Sequence, residues 1–348
     1  MPIKFAEPPV QAALIVAITT LVTVILGLIF KDYLIPGWVE SRSRKRRGQA
    51  LLDQYRIKLF KACEALASRL AEIYRIRSHY LWADAPKREF YLYKYQSSVY
   101  RLCVLLGWIR AYRMHEALLS FKKIKSKYAV SHSMEEMASA LADGQTVEMY
   151  VAKAICSILN IDLAHLSQDA LFKFSVQVDE LVQKYVTNRS VNFIADLPSG
   201  EQEDFIRDVV ALIPSFSGSL LTKTQCEAII KEVSVKLGLI YRDWQQAIGD
   251  LMVERNDGSD LSHGVIGYRQ FENIMSMPES NEERKWVAKA ERVFQGLDLR
   301  AEHRMDSRIH QLKRLYGHAY KLMVVLNDLD EKSKPVKPDR LRNIPSSI

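Results

Sequence analysis

Cysteine is scarce in this chain: the four present, Cys63, Cys103, Cys156 and Cys226, lie tens of residues apart with no CxxC pair. That spacing fits neither a disulfide framework nor a zinc knuckle, so the thiols read as free, buried and in a reducing compartment. Motifs that cradle phosphate or sharpen a nucleophile are also missing. No GxxxxGK[ST] loop, no GxGxxG after a strand and no GxSxG elbow occurs, which leaves NTPase, dinucleotide and serine-hydrolase readings without an anchor. No fixed period repeats through the middle of the chain, so a solenoid is not supported.

Charge of either sign is absent between Glu7 and Lys31. The run QAALIVAITTLVTVILGLIF inside that stretch is about 20 residues long, and at about 1.5 Å per residue it spans a hydrocarbon core of about 30 Å. A cleaved signal peptide would need a shorter apolar run, a basic start and a small-x-small cleavage site. Here Lys4 is balanced by Glu7 and the run exits into KDYLIPGW. The reading is therefore a single transmembrane helix over 10–30 preceded by a short external N-terminus, 1–9. Basic residues are retained on the cytoplasmic side. Arg42, Arg44, Lys45, Arg46 and Arg47 follow the run, which orients the C-terminal domain to the cytoplasm of a plasma (inner) membrane. Lys31, Tyr33 and Trp38 fall where interfacial anchors belong, and Pro36 with Gly37 is expected to break the helix near the headgroups. Thr19, Thr23 and Gly27 recur every fourth residue as a small-residue stripe suited to transmembrane association.

The net charge of +8 is accounted for by that basic cluster and by the tail from Glu331 to Arg342. The body between them is close to neutral, so no broad nucleic-acid surface is implied. Its length suffices to bury a core without staples, and its pattern predicts an all-α fold: a cytoplasmic helical bundle with one small β-hairpin near 252–268. Within it, 31–47 reads as an interfacial and basic segment and 48–130 as a long helical hairpin. A helical bundle follows over 131–250, a hairpin or loop over 251–272, C-terminal helices with a heptad seam over 273–329 and a disordered basic tail over 330–348. In the hairpin, Leu52, Tyr55, Leu59, Ala62, Leu66, Leu70 and Ile73 mark the apolar face of the first helix. The break at 83–86 leads to a second helix predicted from Glu89 to Lys127, whose aromatics, among them Phe90, Tyr93, Tyr100, Trp108 and Tyr112, read as core rather than a base-stacking surface. Ser133 with Glu136, Ser167, Ser199, and Thr224 with Glu227 look like helix starts.

Candidate chemistry is thin. His303, Asp306 and His310 share a helix side at metal-ligand spacing, without an HExxH core or a fourth ligand that sequence can place. The 252–274 segment echoes a calcium loop, but oxygen donors are missing where Leu261, His263 and Gln270 fall. No cofactor is implied. Met305, Ile309, Leu312, Tyr316, Ala319, Met323 and Leu326 form a packing seam, within the chain or between chains. The expected partners are the lipid bilayer and a protein or a second copy of the chain. The leading reading is a membrane-tethered, non-enzymatic helical interaction or scaffold protein. The alternatives are a membrane effector or signal transducer driven by self-association, and an enzyme whose dispersed site carries no motif.

Overall fold

Helix dominates because apolar residues recur every three or four positions, while the described prolines lie in first turns or between elements. The computed structural model describes residues 8–29, 35–75, 79–81, 88–121, 124–142, 144–162, 167–189, 191, 194–213, 221–255, 263–278, 280–297 and 308–329. The helices are α1 (Pro8–Ile29), α2 (Ile35–Arg75), α3 (Glu89–His115), α4 (Ile124–Ala142), α5 (Gly144–Ile158), α6 (Gln168–Arg189), α7 (Ser199–Ala211) and α8 (Lys223–Leu237). They continue with α9 (Arg242–Met252), α10 (Tyr268–Met275), α11 (Glu282–Glu291) and α12 (Arg308–Asp328). Between α9 and α10, β1 (Val253–Arg255) pairs antiparallel with β2 (His263–Val265), Val253 opposite Val265. The fold is all-α with one hairpin at the predicted place.

Contacts divide the chain into two compact units, Met1–Asp53 with Leu118–Lys122, and Gln54–Ala117 with Lys123–Ile348. In the first, the Ser120 amide donates to the Gly48 carbonyl oxygen at 3.2 Å. A Cβ on Gly48 would meet the Leu118 carbonyl oxygen at 2.6 Å, so only glycine permits this approach. Pro36 and Gly37, where a break was expected, lie in the first turn of α2, a helix separate from α1. Amides of a first turn have no intrahelical partner, so proline costs little there.

In the second unit α2 and α3 run antiparallel, as shown by Tyr55 bonding His115, Arg101 bonding the Ala65 carbonyl and Lys94 bonding Glu72. Leu59, Leu66, Leu70 and Ile73 from α2, and Leu102, Leu105 and Tyr112 from α3, are fully or almost fully buried. Each such side chain contributes roughly 1.5–3 kcal/mol. The helix predicted over 89–127 ends early. It stops at His115, passes through a short 3-10 turn over Glu116–Leu118 and resumes as α4 at Ile124; Ser120, outside the helix, spends its amide on Gly48 instead of on a fourth-preceding carbonyl.

α9 crosses α3 where Gly107 and Gly249 bring the two backbones together, and β2 leans on the same place through Val265. A separate apolar cluster gathers α5 to α8 around Ile155, Phe174, Val182, Phe205, Val209, Ile229 and Val233. Two buried glutamines tie the Gly238–Ile240 segment to the end of α4. The Gln245 amide donates to the carbonyls of Ala138 and Ile240 at 2.9 and 2.8 Å, and the Gln311 amide to those of Leu141 and Gly238 at 3.3 Å.

Capping residues fell partly as expected. Ser167 caps α6 through the Ala170 amide at 3.1 Å. Ser133 and Glu136 lie inside α4, because helical residues continue upstream to Ile124, and Ser133 is buried. The box expected at Thr224 and Glu227 is built two residues earlier. The Thr222 hydroxyl accepts from the Gln225 amide at 3.2 Å, and the Gln225 side chain accepts from the Thr222 amide at 3.0 Å.

Candidate functional site

Val, Ile and Thr supply eleven of the 22 residues of α1, a composition with poor helix propensity in water because branched Cβ atoms lose rotamer freedom against the preceding turn. Helix nevertheless forms, and its described side chains find no core. Leu14, Ile15, Val16, Ile18, Leu21, Val22 and Val24 are all about half exposed or more. At about 100° per residue these seven surround the helix axis with no gap wider than about 100°. A helix apolar all round belongs in a core or in lipid. The polar atoms in the stretch are silenced locally: the hydroxyls of Thr19, Thr20 and Thr23 donate to the carbonyls of Ile15, Val16 and Thr19 at 2.7, 2.8 and 2.7 Å. That back-bonding is how a threonine satisfies its hydroxyl where water is absent. It also leaves Thr19 and Thr23 of the small-residue stripe offering methyl groups rather than free donors.

Among the described residues no helix is long and apolar enough to cross a membrane. In α1 the described side chains run without a break only from Leu14 to Val24, about half of what a bilayer needs. Of the interfacial candidates, Lys31 and Tyr33 lie outside the described residues, and Trp38 is described only as part of the α2 backbone. Arg42, Arg44, Lys45, Arg46 and Arg47 are exposed on the first third of α2.

The C-terminal seam is occupied within the chain. Ile309, Leu312, Tyr316, Ala319, Met323 and Leu326 are buried, and α12 packs along α4; Met305 lies outside the described residues. Across the outer edge of this pair, Lys321 bonds Glu136 at 2.7 Å, with His132 and His318 within 4.0 Å. Burial opposes ionisation of Glu136, but the Lys321 bond and charge and the two imidazoles hold it below the usual carboxylate range. His303 and Asp306 lie outside the described residues. The pKa of His310 is lowered by burial and by Lys313 and Arg314, surroundings that disfavour a metal cation as well. Among the described residues no group of three or more His, Cys, Asp or Glu could hold a metal ion.

Folding brings two histidines distant in sequence into ring contact. His115 at the end of α3 and His263 on β2 bring their ring centroids to 4.6 Å. His115 Nδ1 lies 2.8 Å from the buried Tyr55 hydroxyl. Burial raises the Tyr55 pKa while a backbone hydrogen bond from His263 pulls it back. With Trp108 and Tyr112 edge-on to Tyr55, this is a largely aromatic cluster that docks the hairpin on α2 and α3. Another cluster pairs Arg284 with Glu291, both nearly buried, beneath the Tyr95 hydroxyl; burial, followed by the Glu291 charge, pushes the Tyr95 pKa far up. Both depend on residues more than a hundred positions apart, so no local spacing announces them.

A cavity between α3, α4 and α9, lined by Leu106, Ile109, Met137, Leu141 and Gln245 with Arg110 and Arg113 at its rim, has about 30 Å³ of water-sized space. That volume holds a water or two and no organic substrate. The two arginines are already paired, Arg110 with Asp250 at 2.6 Å and Arg113 with Glu135 at 2.7 Å.

No family model, curated protein or solved structure matches this chain.

Proposed function

We propose that the chain is a membrane-tethered helical scaffold or interaction protein, anchored by α1 as a single transmembrane helix with the C-terminal domain in the cytoplasm. The supporting observation is the ring of seven exposed, uncharged apolar side chains around α1. In a bilayer these seven alone contribute roughly 2–4 kcal/mol of insertion free energy on the translocon scale. In water they would be a solvent-exposed hydrophobic rod. The five exposed basic residues that open α2 set the orientation and add about 1 kcal/mol each at an anionic leaflet. The remaining domain offers helical surfaces, and its cavity between α3, α4 and α9 is water-sized, a construction suited to binding a macromolecule. Tethering concentrates such a module at the membrane without any new contact.

Alkaline carbonate extraction of native membranes tests the anchor, with protease added outside intact cells testing the orientation. The protein should stay in the pellet and its C-terminal end should survive. A protein released by carbonate, or a C-terminal domain digested from outside, overturns the reading. Affinity capture of the full-length chain from detergent extracts should recover one stoichiometric protein partner or a second copy. A tightly bound nucleotide or metal in the purified chain would instead favour an enzyme.

A further inference from the structure

The buried hydroxyl of Tyr55 on α2 decides where a histidine on α3 carries its proton. A buried phenol needs an acceptor, and among the described residues His115 Nδ1, at 2.8 Å, is the side-chain atom that serves. Neutral His115, itself 8% exposed, therefore keeps its own proton on Nε2 and accepts the bond that ties the end of α3 to α2. Its ring is stacked on that of Tyr55 at 5.7 Å between centroids. On its other side it meets the His263 ring of β2 at 4.6 Å. The neutral imidazole thus stands at the junction of α2, α3 and the hairpin.

A second proton reverses this arrangement. With Nδ1 protonated, His115 has no lone pair left for the Tyr55 hydroxyl. The new Nδ1–H has a carbonyl of its own helix in reach, that of Ala111 at 3.3 Å, and His115 lies in the last turn of α3, where a cation is favoured. On the opposite side a positive ring now presses on His263, and once both are protonated they repel far more strongly than in water. Neighbouring charges are committed elsewhere. On α3, Glu116 is held by Lys127 of α4 at 3.7 Å and by the Ser131 hydroxyl at 3.2 Å, and burial keeps the Tyr112 phenol neutral. Lys58 of α2 lies over the Trp108 ring at 5.7 Å. On β1, Arg255 is the cross-strand partner of His263, and Glu254 stands opposite Gly264, on the other face of the ribbon. We propose that His115 is an acid-sensitive latch: neutral, it holds the β1–β2 hairpin against α2 and α3, and protonated it turns to its own helix and releases the His263 end of the hairpin. The other end stays hinged. There the Tyr100 hydroxyl donates to the Ile266 carbonyl at 3.0 Å and the Ile266 amide to the Met252 carbonyl at 2.9 Å, with no group that titrates near neutrality. Imidazoles change charge between about pH 5 and 8, so the latch is closed at the upper end of that range and opens as pH falls. It operates whether or not α1 is anchored.

The test is amide hydrogen exchange of the full-length protein in neutral detergent, read by mass spectrometry from about pH 7.5 to about pH 5.5 and corrected for the intrinsic exchange rate at each pH. Protection of the peptide over 253–266 should fall about tenfold or more towards acid, while that of α11 stays level. His115→Asn places an amide oxygen where Nδ1 stands, an acceptor that cannot titrate, so its hairpin should stay protected throughout. Tyr55→Phe removes the bond and keeps the ring; its hairpin should be poorly protected already at the upper pH. A wild-type hairpin whose protection does not change, or falls only in step with α11, overturns the latch without recourse to any variant. So does a His115→Asn protein with native far-UV circular dichroism that opens in acid as the wild type does, or a Tyr55→Phe hairpin as protected and as acid-responsive as the wild type's.

Discussion

Replacing Gly249 by alanine should destabilise the protein, whereas replacing Gly317 should stabilise it, although both glycines sit within helices. A Cβ at Gly249 would lie 2.7 Å from Arg110 Cβ and 3.0 Å from the Leu106 carbonyl oxygen, whereas one at Gly317 meets nothing within 4 Å. Carbon contacts settle near 3.5–4.0 Å, so α3 and α9 must separate by a good part of an ångström. Neither obstructing atom is the loose end of a side chain that could swing aside. Overpacking of this kind costs about 1–3 kcal/mol, against a gain of about 1 kcal/mol from alanine's better helix propensity, which Gly317→Ala enjoys unopposed. The propensity gain cancels between the two variants, so their difference isolates the clash at about 1–3 kcal/mol. For a domain of this size that is several degrees in unfolding midpoint, at roughly 2–4 °C per kcal/mol. Far-UV circular dichroism of the two purified full-length variants, melted side by side, reads it. Equal melting temperatures, or a more stable Gly249→Ala, would refute the close crossing of α3 and α9.

Other consequences are as direct. Gln245→Leu leaves the buried carbonyls of Ala138 and Ile240 without their donor and should cost about 1–3 kcal/mol in chemical denaturation. Glu136 ionises below the unfolded value of 4.5, so its contribution is present above that pH and is lost as pH falls through the lowered value; Glu136→Gln should flatten the acid limb of a stability-against-pH curve. Burial lowers the His318 pKa despite Glu136, so its contribution too is present above the unfolded value of 6.5 and declines below it. Burial raises the pKa of all four thiols, and only Cys226 is partly exposed. Iodoacetamide should therefore modify Cys226 first and reach Cys63 and Cys103 only on unfolding; rapid native labelling at Cys63 would contradict the packing of α2.

What the sequence revealed is what repeats locally. The apolar rhythm from Leu52 to Ile73 and from Ile309 to Leu326 is periodic at the helical pitch, and both stretches are helices with those residues buried. The turn between Val253 and Val265 carries its own signature and became β1 and β2. Reading failed where a distant residue decides. Nothing in the run after His115 says that Ser120 will bond Gly48, yet that bond falls in the gap between α3 and α4. Ser133 and Glu136 had the spacing of a cap, but a cap needs non-helical backbone behind it, and residues upstream were already helical. The cluster of Tyr55, His115 and His263 was hidden for the same reason: its members come from α2, α3 and β2, and each alone looks like an ordinary helix or strand residue.

The branched side chains of α1 have a consequence for how the protein is made. A segment that is half Val, Ile and Thr and free of charge is, in water, closer to a sheet-forming peptide than to a helix. Left exposed after synthesis it would pair with copies of itself, so the nascent chain has reason to hand this stretch to lipid or to a protective carrier before the downstream helices are complete.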